Sequence, residues 1–323
     1  MQSADEAEFA QRSDPHRREL LVHCYRMLGS FHDAEDAVQE TYLRAWRAYP
    51  QFEGRASMRT WLYRIATNAC LTALENKGRR MLPSGLGGPS ADGPYALADR
   101  RTEIPWLEPL PDSAVSGGMD DPAAVAVRRE STRLAFVAAL QQLPARQRAA
   151  LLLRDVLDMS AADTADVLDM TVPAVTSALQ RARAQLAGNA ASEEEITVTS
   201  DVDERLLDQY VQAFETADMA LLTRLLRRDV QLEMPPIPTW FSGYDAVLAF
   251  LTERAMEAER RFVPIRANGC PAVGAYTREA DGRLRAHSIQ VLETRDGAIE
   301  RIYAFLEPRL FAAFGLPDVL LGE

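Results

Sequence analysis

Basic and aromatic side chains are interleaved between Arg55 and Arg80, and together they could bind an opened DNA strand. Six basic residues stand there against Glu75 alone, a local charge of +5 in a chain of formal charge −11. Arginine and lysine neutralise phosphates, while tryptophan and tyrosine offer flat faces to unstacked bases. The segment therefore predicts a site for single-stranded DNA. A helical bundle with Trp61 and Tyr63 in its core and arginines on its solvated face would produce the same pattern.

A second segment predicts binding to duplex DNA. Two short apolar-patterned stretches, 160–168 and 172–187, are separated only by Asp169-Met170-Thr171. Thr171 can cap the second stretch, and Pro173 fits its first turn. This spacing is typical of a helix-turn-helix, whose second helix enters the major groove. By itself the motif indicates a DNA-binding regulator and nothing narrower.

The elements around these segments fall into three classes. Apolar residues recur at helical spacing over 17–30, 33–49 and 57–80, which predicts a compact all-α module, and again over 122–143 and 144–156. Residues 81–121 are rich in Pro, Gly and Ser and predict an extended linker. Its Trp106 lies among prolines and leucines, and we expect that apolar piece to dock on a surface.

The last third of the chain changes class. Helices are predicted over 201–216, 219–227 and 243–258, and strands over 230–234, 262–267, 272–277, 285–295 and 299–305. Two Asp-Gly turns lie between paired strands, as expected for hairpins. The pattern predicts an α+β cone around an interior pocket. Residues 193–323 also hold 14 basic against 23 acidic residues, a net charge of −9.

The first module closely resembles the second conserved region of RNA polymerase sigma factors of the extracytoplasmic-function group. The sequence DAEDAVQETYLRAW resembles the helix that docks on the polymerase β′ subunit. The resemblance implies polymerase contacts at Asp33, Asp36, Gln39, Glu40 and Arg44. The following FEGRASMRTWLYRIATN resembles the segment that melts and reads the −10 promoter element. It implies contacts with the −10 element at Phe52, Gly54, Arg55, Arg59, Trp61, Arg64 and Asn68.

The helix-turn-helix resembles the fourth sigma region, which reads the −35 element. The resemblance implies contacts with that element at Thr171, Thr176, Ser177, Gln180, Arg181 and Arg183. Thr176 and Ala178 stand where relatives often carry arginine, so we expect weaker or unusual reading of the −35 element. In this family the linker crosses the active-site cleft of the polymerase, and the net charge of −3 over residues 81–119 suits that role.

Residues 200–323 resemble the SnoaL-like family, which also contains ketosteroid isomerase-type enzymes. Enzymes of this fold use an acidic base with a His or Tyr partner inside the cone. The candidate pocket residues are Glu233, Trp240, His287 and Tyr303. No pair among them has a spacing that demands catalysis, so we expect a regulatory domain, with a small-molecule ligand left open, rather than an enzyme.

The whole sequence thus predicts a multidomain sigma factor with region 2 at 1–80, a linker at 81–121, region 4 at 122–188 and a SnoaL-like domain at 200–323. The expected partners are core RNA polymerase, through its β and β′ subunits, and promoter DNA. A ligand-sensing helix-turn-helix regulator and an enzyme with a DNA-binding leader are the alternatives. No cofactor, metal site or membrane span is expected, and three scattered cysteines fit a cytoplasmic protein.

Overall fold

The computed structural model describes residues 2–54, 56–91, 93, 97–116, 131–189, 200–255 and 259–320. The chain divides into two compact units. The first unit comprises Met1–Arg80 with Ala114–Glu193, and the second comprises Met81–Ser113 with Glu194–Glu323. The segment between the two helical modules therefore belongs to the same unit as the C-terminal domain. Within the described residues, no helix has the length and apolarity needed to cross a bilayer.

The first unit is entirely helical in its described part. Its N-terminal module contains α1 (Gln2–Ser13), α2 (Arg17–Leu28), α3 (Phe31–Ala48) and α4 (Met58–Lys77). Its second module contains α5 (Leu134–Gln141), α6 (Ala145–Leu151, continued by a π turn at Leu152–Val156), α7 (Ala161–Leu168) and α8 (Val172–Asn189). The predicted helices are present, except that residues 122–130 lie outside the described residues. Helix α1 was not predicted.

Serine caps set the starts of the helices that carry the candidate sites. The hydroxyls of Ser30, Ser57 and Ser160 accept hydrogen bonds from the backbone N–H three residues on, and so begin α3, α4 and α7. Helix α7 ends at Asp169, which adopts a left-handed conformation with φ 52°. This turn leads directly into α8, so the helix-turn-helix predicted from the sequence is present.

The second unit combines helices with one mixed sheet. Its helices are α9 (Ser200–Glu215), α10 (Met219–Leu225) and α11 (Tyr244–Phe250). Its strands are β1 (Leu226–Glu233), β2 (Trp240–Ser242), β3 (Arg260–Ala267), β4 (Cys270–Arg278), β5 (Leu284–Arg295), β6 (Ala298–Phe305) and β7 (Val319–Leu320). The strand order is β2-β1-β6-β5-β4-β3, with β7 paired to β5.

Several predicted elements in this unit differ from the structure. Residues 226 and 227 continue the strand pattern of β1, so α10 ends two residues earlier than its apolar spacing suggested. The short strand β2 was missed because only three of its residues pair with β1. The predicted hairpins β3–β4 and β5–β6 are present, and each pairs antiparallel.

The sheet buries both of its faces. One face packs against α9, α10 and α11 in a core that includes Tyr210, Phe214, Leu232, Leu292 and Ile302. Glu233 and Tyr303 alternate with these core residues along β1 and β6, so they point to the opposite face. They are nevertheless 2% and 1% exposed, so other parts of the unit must cover that opposite face.

The segment predicted as a linker is seated on this unit. Leu107 and Leu110 are fully buried, and the Leu110 backbone exchanges two 2.9 Å hydrogen bonds with Asn268 at the β3–β4 turn. Glu108 is buried and forms an ion pair with Arg309 (2.9 Å). The Trp106 ring is 9% exposed and its Nε1 donates to the Arg101 carbonyl (2.7 Å). The apolar piece therefore docks on the protein's own C-terminal domain.

Candidate nucleic-acid interfaces

A cleft of about 310 Å³ lies between α3 and α4. Its lining combines two arginines, one indole ring and one amide with apolar side chains. The lining residues are Arg44, Ala48, Trp61, Arg64, Ile65 and Asn68. The guanidinium groups supply positive charge for phosphates, and the half-buried indole supplies a face for a base. Three residues predicted to contact the −10 element, Trp61, Arg64 and Asn68, thus share one cleft.

The other described residues predicted to contact the −10 element lie at different places outside the cleft lining. Phe52 lies beside the cleft, with its ring centroid 4.7 Å from that of Trp61. Gly54 has φ +70°, a conformation that favours glycine. Arg59 donates to Glu19 (2.9 Å) and lies over the Tyr63 ring at 5.0 Å. Arg59 is therefore engaged inside the bundle, and Arg55 lies outside the described residues.

The residues predicted to contact polymerase do not form one uniform surface. Asp36 and Gln39 are exposed on α3, and Glu40 accepts from Arg44 (2.6 Å). Asp33 differs, because its carboxylate accepts from both Nε and Nη2 of Arg80 in a mostly buried ion pair. Arg44 also lines the cleft, so it belongs to both surfaces.

One residue of the α3 surface escaped the sequence interpretation. Leu43 follows Asp36, Gln39 and Glu40 at helical spacings of seven, four and three, and it is 52% exposed. A single exposed leucine is ordinary on a protein surface, but Leu43 shares its helical face with three of the residues predicted to contact polymerase. Its helical spacing from these polar residues is the signal that could have identified it.

The arginines of α8 are engaged by other side chains. Arg183 forms two hydrogen bonds with the Asp155 carboxylate (2.9 and 2.7 Å), and Arg181 donates to Ser177 (2.6 Å). The Thr176 hydroxyl donates to the Val172 carbonyl (3.0 Å), and Thr171 caps the helix. Gln180 is exposed. Arg183 is thus held in an ion pair on α8, as Arg44 is held by Glu40 beside the cleft.

The two helical modules contact each other through buried arginines. Arg148 of α6 is 2% exposed, and its guanidinium donates to the Met27 carbonyl at the end of α2 and to the side chain of Gln141. Arg26 of α2 donates to the Ser131 carbonyl (3.1 Å). Burial lowers the pKa of Arg148 to about 10, so it keeps its charge at neutral pH. Helix α7 also packs on α4.

Comparison with known proteins identifies these modules. A family model described as Sigma-70 region 2 matches residues 14–80, and one described as Sigma-70, region 4 matches residues 133–186. The chain is 48% identical over 324 residues to the ECF RNA polymerase sigma factor SigG of Mycobacterium tuberculosis, covering 98% of this chain and 86% of the relative. The chain belongs to the extracytoplasmic-function (ECF) sigma factor family.

Other members are more distant. The Bacillus subtilis sigma factor SigW is 26% identical over 186 residues, which cover 58% of this chain and 90% of SigW. The crystal structure of Mycobacterium tuberculosis SigJ matches with a TM-score of 0.61 at 24% identity, covering 93% of this chain and 97% of SigJ. The predicted class is confirmed: helical sigma domains precede an α+β domain in an ECF RNA polymerase sigma factor.

In the C-terminal domain of this sigma factor, three of the four candidate pocket residues form one row. Trp240 on β2 pairs with Glu233 on β1, which in turn pairs with Tyr303 on β6. The linker covers this row: the Ser84 N–H donates to Glu233 (2.8 Å), and Trp240 Nε1 donates to the Gly87 carbonyl (2.9 Å). Burial raises the pKa of Glu233, against the lowering effect of the Ser84 hydrogen bond.

His287 does not join that row. It lies at a bulge of β5, and its Nδ1 is 3.3 Å from the Ser288 hydroxyl. Burial lowers the pKa of His287 to about 4, aided by the charges of Arg260 and Arg100. The described contacts therefore do not assemble an acid–histidine pair. Among the residues that the structure describes, three or more metal-ligating side chains do not cluster anywhere.

Proposed function

We propose that this sigma factor docks on core RNA polymerase through the exposed face of α3, with Leu43 at its centre. Asp36 and Gln39 flank the leucine and would contribute polar contacts at the rim. The position of exposed Leu43 on the same face of α3 as Asp36 and Gln39 carries this proposal. Because Asp33 is already paired with Arg80, we assign it a supporting part: it holds the end of α4 and not the polymerase itself.

The test of this surface is the substitution Leu43→Asp. Burial of one leucine corresponds to about a tenfold or larger change in affinity, so binding to core polymerase should weaken by at least that factor. Ala220→Asp is the control, because Ala220 is exposed on α10 of the C-terminal domain, outside α3 and the linker contacts. Equal binding by both variants in a fluorescence titration, with unchanged melting temperatures, would exclude α3 as the docking surface.

We propose that the cleft between α3 and α4 holds one unstacked base of the opened −10 strand. Trp61 would stack on that base, Asn68 would bond to its polar edge, and Arg44 and Arg64 would bind the neighbouring phosphates. Helix α8 would enter the major groove of the −35 element. The remaining residues predicted for the two elements keep their assignments as proposals.

The described arrangement of the helical modules fits a closed form of the sigma factor. Helix α4 packs on α7, and α7 packs on α8. The axes of α4 and α8, the two helices proposed to bind DNA, therefore lie within about 20 Å of each other. The −10 and −35 elements are about 25 base pairs apart, or about 85 Å of duplex. We therefore propose that binding to polymerase separates the modules and breaks the contacts of Arg148 with α2.

We further propose that the C-terminal domain regulates activity by holding the linker. A linker seated on the β3–β4 turn and on the Glu233 row is not available to enter the polymerase cleft. The covered row favours the linker, and not a small molecule, as the occupant of this face. We propose no enzymatic activity, and a place in the cytoplasm, where the polymerase works.

Arg309→Ala tests the regulatory contact. Removing this exposed partner of buried Glu108 should loosen the linker, speed hydrogen exchange at the Leu110 amide and raise run-off transcription several-fold. Arg283→Ala is the control, because Arg283 is an exposed arginine paired with Asp281 on the same domain. Faster exchange without any change in transcription would mean that linker docking does not regulate the protein.

A further inference from the structure

The first residue of the duplex-reading helix is an exposed valine. Val172 is 43% exposed, whereas the apolar residues that follow it on α8 are packed inward. Those inward residues are Val175 (1%), Ala178 (2%), Leu179 (8%) and Ala182 (0%). The core of the helix-turn-helix is therefore complete without Val172, and its side chain contributes apolar surface at the end of α8 that enters the groove.

The polar groups around Val172 are committed to the helix itself. The Thr171 hydroxyl accepts from the Ala174 N–H (3.4 Å), and the Thr176 hydroxyl donates to the Val172 carbonyl (3.0 Å). Arg181, two turns further on, donates to Ser177. Each threonine thus spends one hydrogen bond within the helix, and Val172 is the apolar contact that the first turn of α8 can offer a base.

Only one base of standard DNA presents an apolar group in the major groove, and this group is the C5-methyl of thymine. Residues at the N-terminus of a recognition helix are the ones that contact base edges. We propose that Val172 packs against the C5-methyl of a thymine in the −35 element and determines specificity at that position. This inference rests on the proposed role of α8 as the reader of the −35 element.

The test removes the methyl group without changing base pairing. The intact sigma factor, assembled with core polymerase, transcribes a promoter fragment in which each thymine of the −35 element, on either strand, is replaced in turn by deoxyuridine. Loss of one buried methyl should lower the apparent affinity about fourfold at a single position. The Val172→Ala protein should lose about the same factor on the thymine template and should not respond to deoxyuridine there.

Two further variants keep the result interpretable. Val172→Thr retains one methyl in a side chain of nearly the same shape, and it should keep part of the preference for thymine. Asp166→Ala alters an exposed residue of α7 and should leave the deoxyuridine response unchanged. Circular dichroism melting of each protein separates loss of contact from loss of fold.

Several outcomes would overturn the inference. If Val172→Ala weakens transcription equally on both templates, the valine contacts protein and not a thymine. If no thymine position responds to deoxyuridine in the unaltered protein, there is no methyl contact. If the unaltered protein supports no polymerase-dependent transcription at all, the proposed function fails first, and the Val172 contact fails with it.

Discussion

The two segments that we propose bind promoter DNA present different surfaces. The cleft between α3 and α4 is concave and brings two arginines to the edge of an indole ring. Helix α8 is convex, its Arg183 is paired with Asp155, and an apolar side chain begins it. An unstacked base must be enclosed, whereas a duplex is read from outside by the shape and chemistry of its groove.

This difference in shape and contacts implies that the cleft and α8 contribute unequally to the free energy of promoter binding. The cleft is already formed in the structure, so the proposed binding of an opened strand would need little rearrangement. Helix α8 must first give up intramolecular contacts or bind beside them. We therefore expect promoter binding to depend more on the −10 contacts than on the −35 contacts.

Trp61→Ala should give the largest effect. Loss of one stacking face corresponds to about 10-fold to 100-fold weaker binding of the opened strand. Run-off transcription from duplex and from pre-melted templates should fall by similar factors, because the contact forms after melting. Trp46→Ala is the control, since Trp46 is 37% exposed on the same bundle outside the cleft. Equal losses for both variants would show that bundle packing, and not the cleft, is responsible.

Acid should destabilise the bundle that carries α4. Burial lowers the pKa of His23 to about 3, and His23 lies 3.0 Å from the Thr67 hydroxyl of α4. The unfolded chain takes up a proton near pH 6.5 and the folded one does not, so this contribution is full above pH 6.5 and is lost as the pH falls towards 3. The loss is about 1.4 kcal/mol per pH unit in that window.

Urea unfolding at pH 7 and pH 5 measures this effect. The unfolding free energy should drop by about 2 kcal/mol more in the unaltered protein than in His23→Asn, which carries no titrating ring. His287→Asn is the comparison in the C-terminal domain. An identical pH response of the unaltered protein and His23→Asn would show that His23 does not remain neutral in the folded bundle.

Asp155→Asn should give the smallest effect, and it should strengthen DNA binding where Trp61→Ala weakens it. It releases Arg183 from an exposed ion pair, which contributes little to stability because solvent screens it. The freed arginine should then strengthen binding of a −35 duplex a few-fold and steepen its salt dependence. A filter-binding series between low and moderate salt measures both quantities. Unchanged binding would mean that Arg183 does not face the phosphates. The ion pair would then no longer distinguish α8 from the cleft between α3 and α4.

The sequence predicted most helices of this fold because their apolar spacing is a local signal. It could not predict where the linker goes. The segment around Trp106 reads as an apolar piece that needs a partner, but the partner, Asn268, lies 158 residues from Leu110. The ion pair of Arg183 with Asp155 likewise joins two helices, so α8 seemed more basic in the sequence than it is in the structure.

The grouping of the candidate site residues could likewise be predicted only in part. Trp61, Arg64 and Asn68 recur at spacings of three and four, so one helical face could be expected to bring them together. The addition of Arg44 could not be expected, because it depends on how α3 packs against α4. In the C-terminal domain, Glu233 and His287 looked equivalent in the sequence. The register of the sheet and the bulge in β5 separate them.

The seated linker also affects what proteolysis could accomplish. The C-terminal domain grips the polypeptide upstream of the helix-turn-helix, through buried Leu107 and Leu110, as well as following it in the chain. Hydrolysis of a peptide bond between residues 190 and 199 would therefore yield two fragments that remain a non-covalent complex. A single cut would therefore leave the proposed restraint on the linker in place until the two fragments dissociate.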